Sequence, residues 1–175
     1  MRGERRWKAA VTEHEAVVRE FLAACERVTP ESWHRAPGPK KWSPADVALH
    51  VCRAYELGRE AAAGGESMRL RVSPRFAWFL RTLLLPVVVA TKRFPRGAVA
   101  PSELVPDPKE ARLLTPKAAA ARVQSVAGQA AEALRRAARA PSGSGFTHAY
   151  FGPLSPRTTL RLLSAHTRHH ARTLK

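Results

Sequence analysis

An all-α fold is what this sequence predicts, on two kinds of signal. Ser43-Pro44, Ser73-Pro74, Thr115-Pro116 and Ser155-Pro156 each set a capping hydroxyl before a proline suited to the first helical position. After each pair apolar residues recur at helical spacing, and no run alternates apolar and polar residues over a strand's length. Together these signals place helices at about 8–28, 44–63, 74–91, 116–139 and 156–174.

The first helix carries Val11, Val18, Leu22 and Cys25 on one stripe, with Phe21 and Val28 beside it. The second opens on Ser43 with Asp46 at its third position, close to a capping box, and Val47, His50, Val51 and Ala54 share its apolar face. The third contains the most apolar stretch, Phe76–Ala90, interrupted by Arg81 and Pro86. That stretch falls short of the roughly 20 residues of a simple membrane span, so a buried or partly irregular connecting helix is expected, with no membrane span. In the fourth, Val123, Val126, Ala130, Leu134 and Ala137 line up, and small alanines permit close helix approach. Pro95, Gly97, Pro101, Pro106 and Pro108 rule out one continuous helix between residues 92 and 115. A second irregular segment runs over Pro141–Leu154. No internal repeat is found, and residues 1–175 read as a single domain.

Of 175 residues, 30 are Lys or Arg and 14 are Asp or Glu, a formal charge of +16. Such a field attracts phosphates, anionic lipid or acidic metabolites, although Arg, Ala and Pro enrichment also suits a GC-rich genome. Cys25 and Cys52 have no metal-binding or redox spacing and read as buried free thiols of a reducing compartment. The basic N-terminus lacks the apolar run of a signal peptide, so a cytoplasmic location is expected.

The chemistry lies in the histidines. His166 and His170 are one turn apart, a spacing that lets two imidazoles reach one metal ion. At about 100° per residue, Leu163, His166, His170 and Leu174 fall on one face of the last helix, and Arg157, Arg161, Arg168 and Arg172 on the opposite, solvent-facing side. His169 sits at the flank and is the weaker candidate ligand. His50, on the apolar face of its own helix, supplies a third inward imidazole. Burying three such rings without a shared purpose would leave unmet hydrogen bonds of about 1–3 kcal/mol each. Asp46, one turn before His50, could cap the helix or orient the His50 ring. His14 reads as a satisfied core residue. His34 and His148 fall in loops, where a surface histidine is the default, although His148 could reach a metal-bound substrate.

Three blocks then carry a resemblance: Lys41-Trp42-Ser43-Pro44-Ala45-Asp46-Val47-Ala48-Leu49-His50-Val51, Phe151-Gly152-Pro153-Leu154-Ser155, and His166-Thr167-Arg168-His169-His170. In order and spacing the chain resembles the DinB/YfiT-like superfamily, in which a Trp-Ser-x-x-Glu/Asp-x-x-x-His segment opens the second helix and a His-x-x-x-His pair ends the last. The segment Phe94–Pro101 is similar to the proline-rich connection of some members. The resemblance implies a four-helix bundle with a long crossover connection, here with one extra apolar connecting helix. It also implies one divalent metal held by His50, His166 and His170. Relatives include thiol S-transferases using low-molecular-weight thiols, a maleylpyruvate isomerase and proteins described as metal-dependent hydrolases.

The leading expectation is a metal-dependent enzyme of transferase or hydrolase type. Zinc, nickel or iron would activate a thiol or water against a small-molecule substrate held among Trp42, Tyr150 and Phe151. A nucleic-acid-binding or stress-response interaction protein with a structural metal is the alternative. Residues 111–175 carry eleven Lys or Arg against the single acid Glu132, but no DNA-binding motif accompanies them. A homodimer through Phe76–Ala90 is a third expectation.

Overall fold

The computed structural model describes residues 2–95, 99–140 and 146–174. Among these, 68% are helical, in seven helices. They are α1 (Arg2–Glu26), α2 (Pro30–Trp33), α3 (Pro44–Ala62), α4 (Pro74–Thr91), α5 (Pro108–Leu113), α6 (Pro116–Ala137) and α7 (Pro156–Ala171). A 3-10 turn, Ser102–Leu104, precedes α5, and a two-residue pairing of β1 (Thr147–His148) with β2 (Gly152–Pro153) precedes α7.

The four Ser/Thr-Pro pairs at residues 43, 73, 115 and 155 start helices as expected, and a fifth, Thr29-Pro30, opens the short α2 without a side-chain cap. The hydroxyls of Ser43, Ser73, Thr115 and Ser155 accept from the backbone N–H of Asp46, Phe76, Ala118 and Thr158. Each offsets one of the unsatisfied donors at a helix start. Asp107-Pro108 opens α5 the same way, with the carboxylate accepting from Lys109 N–H at 2.9 Å. α1 begins six residues earlier than the expected 8, because Trp7 and Ala10 extend the stripe that His14, Val17, Val18, Phe21 and Cys25 continue.

α3 lies along α6, α1 along α7 and α6, and α7 also touches α3. These four helices enclose the core. α3 packs along α6, and small side chains on both (Ala45, Ala48 and Cys52; Ala119, Ala127 and Ala130) are buried, in keeping with the alanine-rich faces. Trp33 of α2 is fully buried and donates its indole N–H to the Leu114 carbonyl at 2.6 Å, closing one end. Both cysteines are buried free thiols, and burial pushes each up to about 12.

Two expectations need correction. The stretch between 92 and 115 is not wholly irregular, since prolines 101 and 108 start a 3-10 turn and a short helix. α4 is regular and not buried. It touches the core through Ala77, Leu85, Val88 and Val89, while Phe76, Trp78, Phe79, Leu83 and Val87 are about half exposed. It packs on α7 and on β2, outside the four core helices, so only one side of it is covered. Its C-cap, Lys92, adopts φ 55° and is buried, with its ammonium on Glu13 of α1 and the Val89 carbonyl. Gly97 and the Pro-Ser-Gly-Ser-Gly run at 141–145, expected to be irregular, lie outside the described residues.

Candidate metal centre

His50 sits in the second turn of α3, where the capping box at Ser43 fixes the start of the helix. His166 and His170 project from successive turns of α7. Packing of α3 on α7 brings the three together. His50 Nε2 lies 2.8 Å from His166 Nε2, and His166 Nε2 lies 3.2 Å from His170 Nε2. One nitrogen from each ring falls within 4.8 Å of the others.

The His50 ring is oriented from behind. Its Nδ1 faces the Leu104 carbonyl at 2.8 Å. A carbonyl only accepts, so Nδ1 carries the proton and Nε2 presents a lone pair to the other two imidazoles. Burial pushes His50 down to about 4, against a smaller raising effect of the Leu104 carbonyl. His166 and His170 are held well below the usual imidazole value, both first by burial, His166 next by His170 and His50, and His170 next by His50 and His169. All three are therefore neutral at pH 7. A ring proton on His166 Nε2 points along one line and cannot satisfy both neighbours equally. A cation between the three lone pairs faces all of them. Nitrogens bound to a tetrahedral zinc at about 2.0–2.1 Å would stand roughly 3.3 Å apart. The observed 3.2 Å pair matches that spacing and the 2.8 Å pair is shorter. The donor set thus fits a borderline divalent ion, with room for further ligands.

The histidines open onto a cavity of about 1010 Å³. Trp42 forms one wall, its ring centre 4.7 Å from that of His50. Phe94 meets His166 edge-on at 5.7 Å and His169 at 5.6 Å. Lys40, Lys41 and Arg172 also line the space, and no Asp or Glu does among the described residues.

The other sequence candidates separate clearly. Asp46 is a cap: its carboxylate accepts from Ser43 N–H at 2.9 Å and from the Ser43 hydroxyl at 2.6 Å, and the position behind His50 belongs to Leu104. His148 lines the cavity, and its Nδ1 accepts from the N–H groups of Tyr150 and Phe151 at 3.2 and 3.3 Å. Its ring proton is therefore on Nε2, and burial pushes the group down to about 4. Residues 149–151 make the turn between the two strands, and Gly152, at φ 67°, takes the left-handed conformation that follows it. Tyr150 lines the cavity with its hydroxyl 3.5 Å from the Val99 carbonyl. His169 lines it as well but stands outside the three-nitrogen cluster, lowered by burial and by Arg172. His14 is a core residue between Ser164 and the Ala127 carbonyl, and His34 is exposed.

The arginine face of α7 is less free than the angular count suggests. Arg168 donates to Glu20 at 2.7 Å, and Arg172 turns toward the Lys92 carbonyl and the cavity. Sequence reasoning missed Leu104 and Phe94 as site residues. A backbone carbonyl has no residue-type signature, and Phe94 follows an αL cap whose position depends on tertiary contacts.

A family model of the DinB superfamily matches residues 13–174. The chain belongs to the DinB superfamily. The match runs from within α1 to the end of α7 and so takes in all three clustered histidines. No curated protein and no solved structure matches this DinB-superfamily chain.

Proposed function

We propose that this DinB-superfamily protein is a metal-dependent enzyme of transferase or hydrolase type, with His50, His166 and His170 as ligands of one divalent ion. In this reading α1, α3, α6 and α7 form the four-helix bundle of the superfamily, and the segment carrying α4 is its long connection. One observation carries the proposal: three neutral imidazoles bring their Nε2 atoms together at the wall of a large cavity instead of inside a sealed core. A structural site would be closed by a fourth protein ligand, and none joins this cluster among the described residues.

When bound, the metal supplies Lewis acidity that lowers the pKa of a water or thiol. The chain's own residues do the rest. Leu104 holds the His50 tautomer, and Trp42, Phe94 and Tyr150 exclude water and give a substrate an apolar, aromatic wall. His148, protonated on Nε2, offers a hydrogen bond to an acceptor atom in the cavity. Lys40, Lys41 and Arg172, unopposed by any lining carboxylate, favour an anionic substrate such as a low-molecular-weight thiol that bears carboxylates.

The test is a paired assay on protein loaded with zinc, nickel or iron. One arm follows thiol loss to an electrophile, the other ester or amide hydrolysis. The proposal expects one arm to turn over in a metal-dependent way and to be abolished in His166→Ala. Equal rates with and without metal would overturn it.

A further inference from the structure

The exposed side of α4 is the largest feature of the molecule that the metal centre does not use. Phe76, Phe79, Leu83 and Val87 follow one another at three- and four-residue steps. They form a stripe opposite the buried Leu85, Val88 and Val89, and Phe76 stacks on Phe79 at 6.2 Å. Trp78, at 59% exposure, lies more than a third of a turn round the helix from that stripe and stands apart from it. The 18 residues of α4 have a mean hydropathy of 1.2, with only 22% of them buried. Thr82 and Thr91 return their hydroxyls to the carbonyls of Trp78 and Val87, so neither is turned outward to a partner. A surface with so few directional groups suits a fluid apolar phase better than a specific protein partner.

Charge decides which occupant fits. Between Glu66 and Glu103 there is no acidic residue, and Arg69, Arg75 and Arg93 in that interval are exposed and make no ion pair among the described residues, whereas Arg71 pairs with Glu103 and Lys92 with Glu13. A second copy placed on the stripe by two-fold symmetry would set these cations against the same cations, within a chain of net charge +16. An anionic bilayer reverses that sign. We infer that α4 is an interfacial helix that lies on anionic lipid membranes, inserting Phe76, Phe79, Leu83 and Val87 among the acyl chains while the flanking arginines meet headgroup phosphates. The helix lies on the membrane and does not cross it, since Ala77, Leu85, Val88 and Val89 stay packed on the protein and Lys92 anchors its end to Glu13. The chain leaves α4 and reaches the cavity wall at Phe94, so the lipid surface lies beside the rim of the metal cavity at that end.

The experiment is sedimentation of the full-length chain with phosphatidylcholine vesicles, with and without one quarter phosphatidylglycerol. Binding is expected only with the anionic lipid, to weaken as salt is raised, and to fall about tenfold or more in Phe79→Ser/Leu83→Ser/Val87→Ser. Circular dichroism checks that the variant is folded. Leu83→Trp in a Trp78→Phe background gives an independent reading: lipids brominated on the acyl chains should quench the emission that this substitution adds. Unchanged vesicle binding by the triple variant would show charge alone at work and overturn the proposal. So would an absence of quenching, or a dimer in light scattering that the triple variant disperses while vesicles bind nothing.

Discussion

The Nδ1–H of His50 donates to the carbonyl of Leu104 at 2.8 Å, and this bond joins the middle of α3 to a 3-10 turn 54 residues away. The turn holds the ring so that Nε2 faces His166. Leu104→Gly removes a buried side chain and loosens the turn while leaving all three imidazoles in place. Metal affinity should fall about 10- to 100-fold, the usual effect of losing a ligand's orienting partner. Competition against a chromophoric chelator measures this. An unchanged affinity would show that Leu104 does not position His50.

Asp46 gives the opposite expectation. Its carboxylate caps α3 and makes no bond to His50. Asp46→Ala should cost about 1 kcal/mol of stability in urea unfolding and leave the metal content per chain intact. Loss of the metal with stability preserved would restore Asp46 as the residue that orients the ligand.

How much of this was legible in the sequence differs from element to element. The Ser/Thr-Pro pairs at 43, 73, 115 and 155 mark their helix starts to the residue, because hydroxyl capping and a proline at the first position are local chemistry. The inward placement of His50, His166 and His170 follows from face analysis, because helical periodicity carries the direction of a side chain. What packs behind a ring does not. Asp46 is a turn away in sequence, yet the distant Leu104 carbonyl holds that place, since tertiary packing brings the 3-10 turn there. α4 misled for a related reason: a largely apolar stretch of fifteen residues suggests burial, and nothing local says that no partner covers the far side.

Tyr55 and Thr167 form a buried hydroxyl pair at 2.8 Å between α3 and α7, next to the ligand helix. Burial pushes the Tyr55 phenol up beyond its ordinary value, so it stays neutral and hydrogen-bonded. Tyr55→Phe leaves the Thr167 hydroxyl without this partner and should destabilise the fold by about 1–3 kcal/mol. Urea unfolding checks this, and a change under about 0.5 kcal/mol would mean the pair contributes little beyond packing.

Acid should unfold the metal-free protein more readily than neutral buffer. His50 and His148 are pushed by burial down to about 4 from an ordinary value of 6.5. Between those values the unfolded chain binds more protons than the folded one, so stability present above pH 6.5 is lost as pH falls toward 4. Each group contributes about 2 kcal/mol of loss between pH 7 and pH 5. Urea midpoints measured across that range should fall steadily; a flat profile would contradict neutral, buried imidazoles.

The central claim is that His50, His166 and His170 hold one divalent metal at the wall of an open cavity. Elemental analysis of purified, untagged protein tests it most directly, with His166→Ala and His170→Ala prepared in parallel. The account predicts close to one divalent ion per wild-type chain and loss of most of it in both variants. Full occupancy in both variants, or none in wild-type protein after incubation with zinc, nickel and iron, would contradict it.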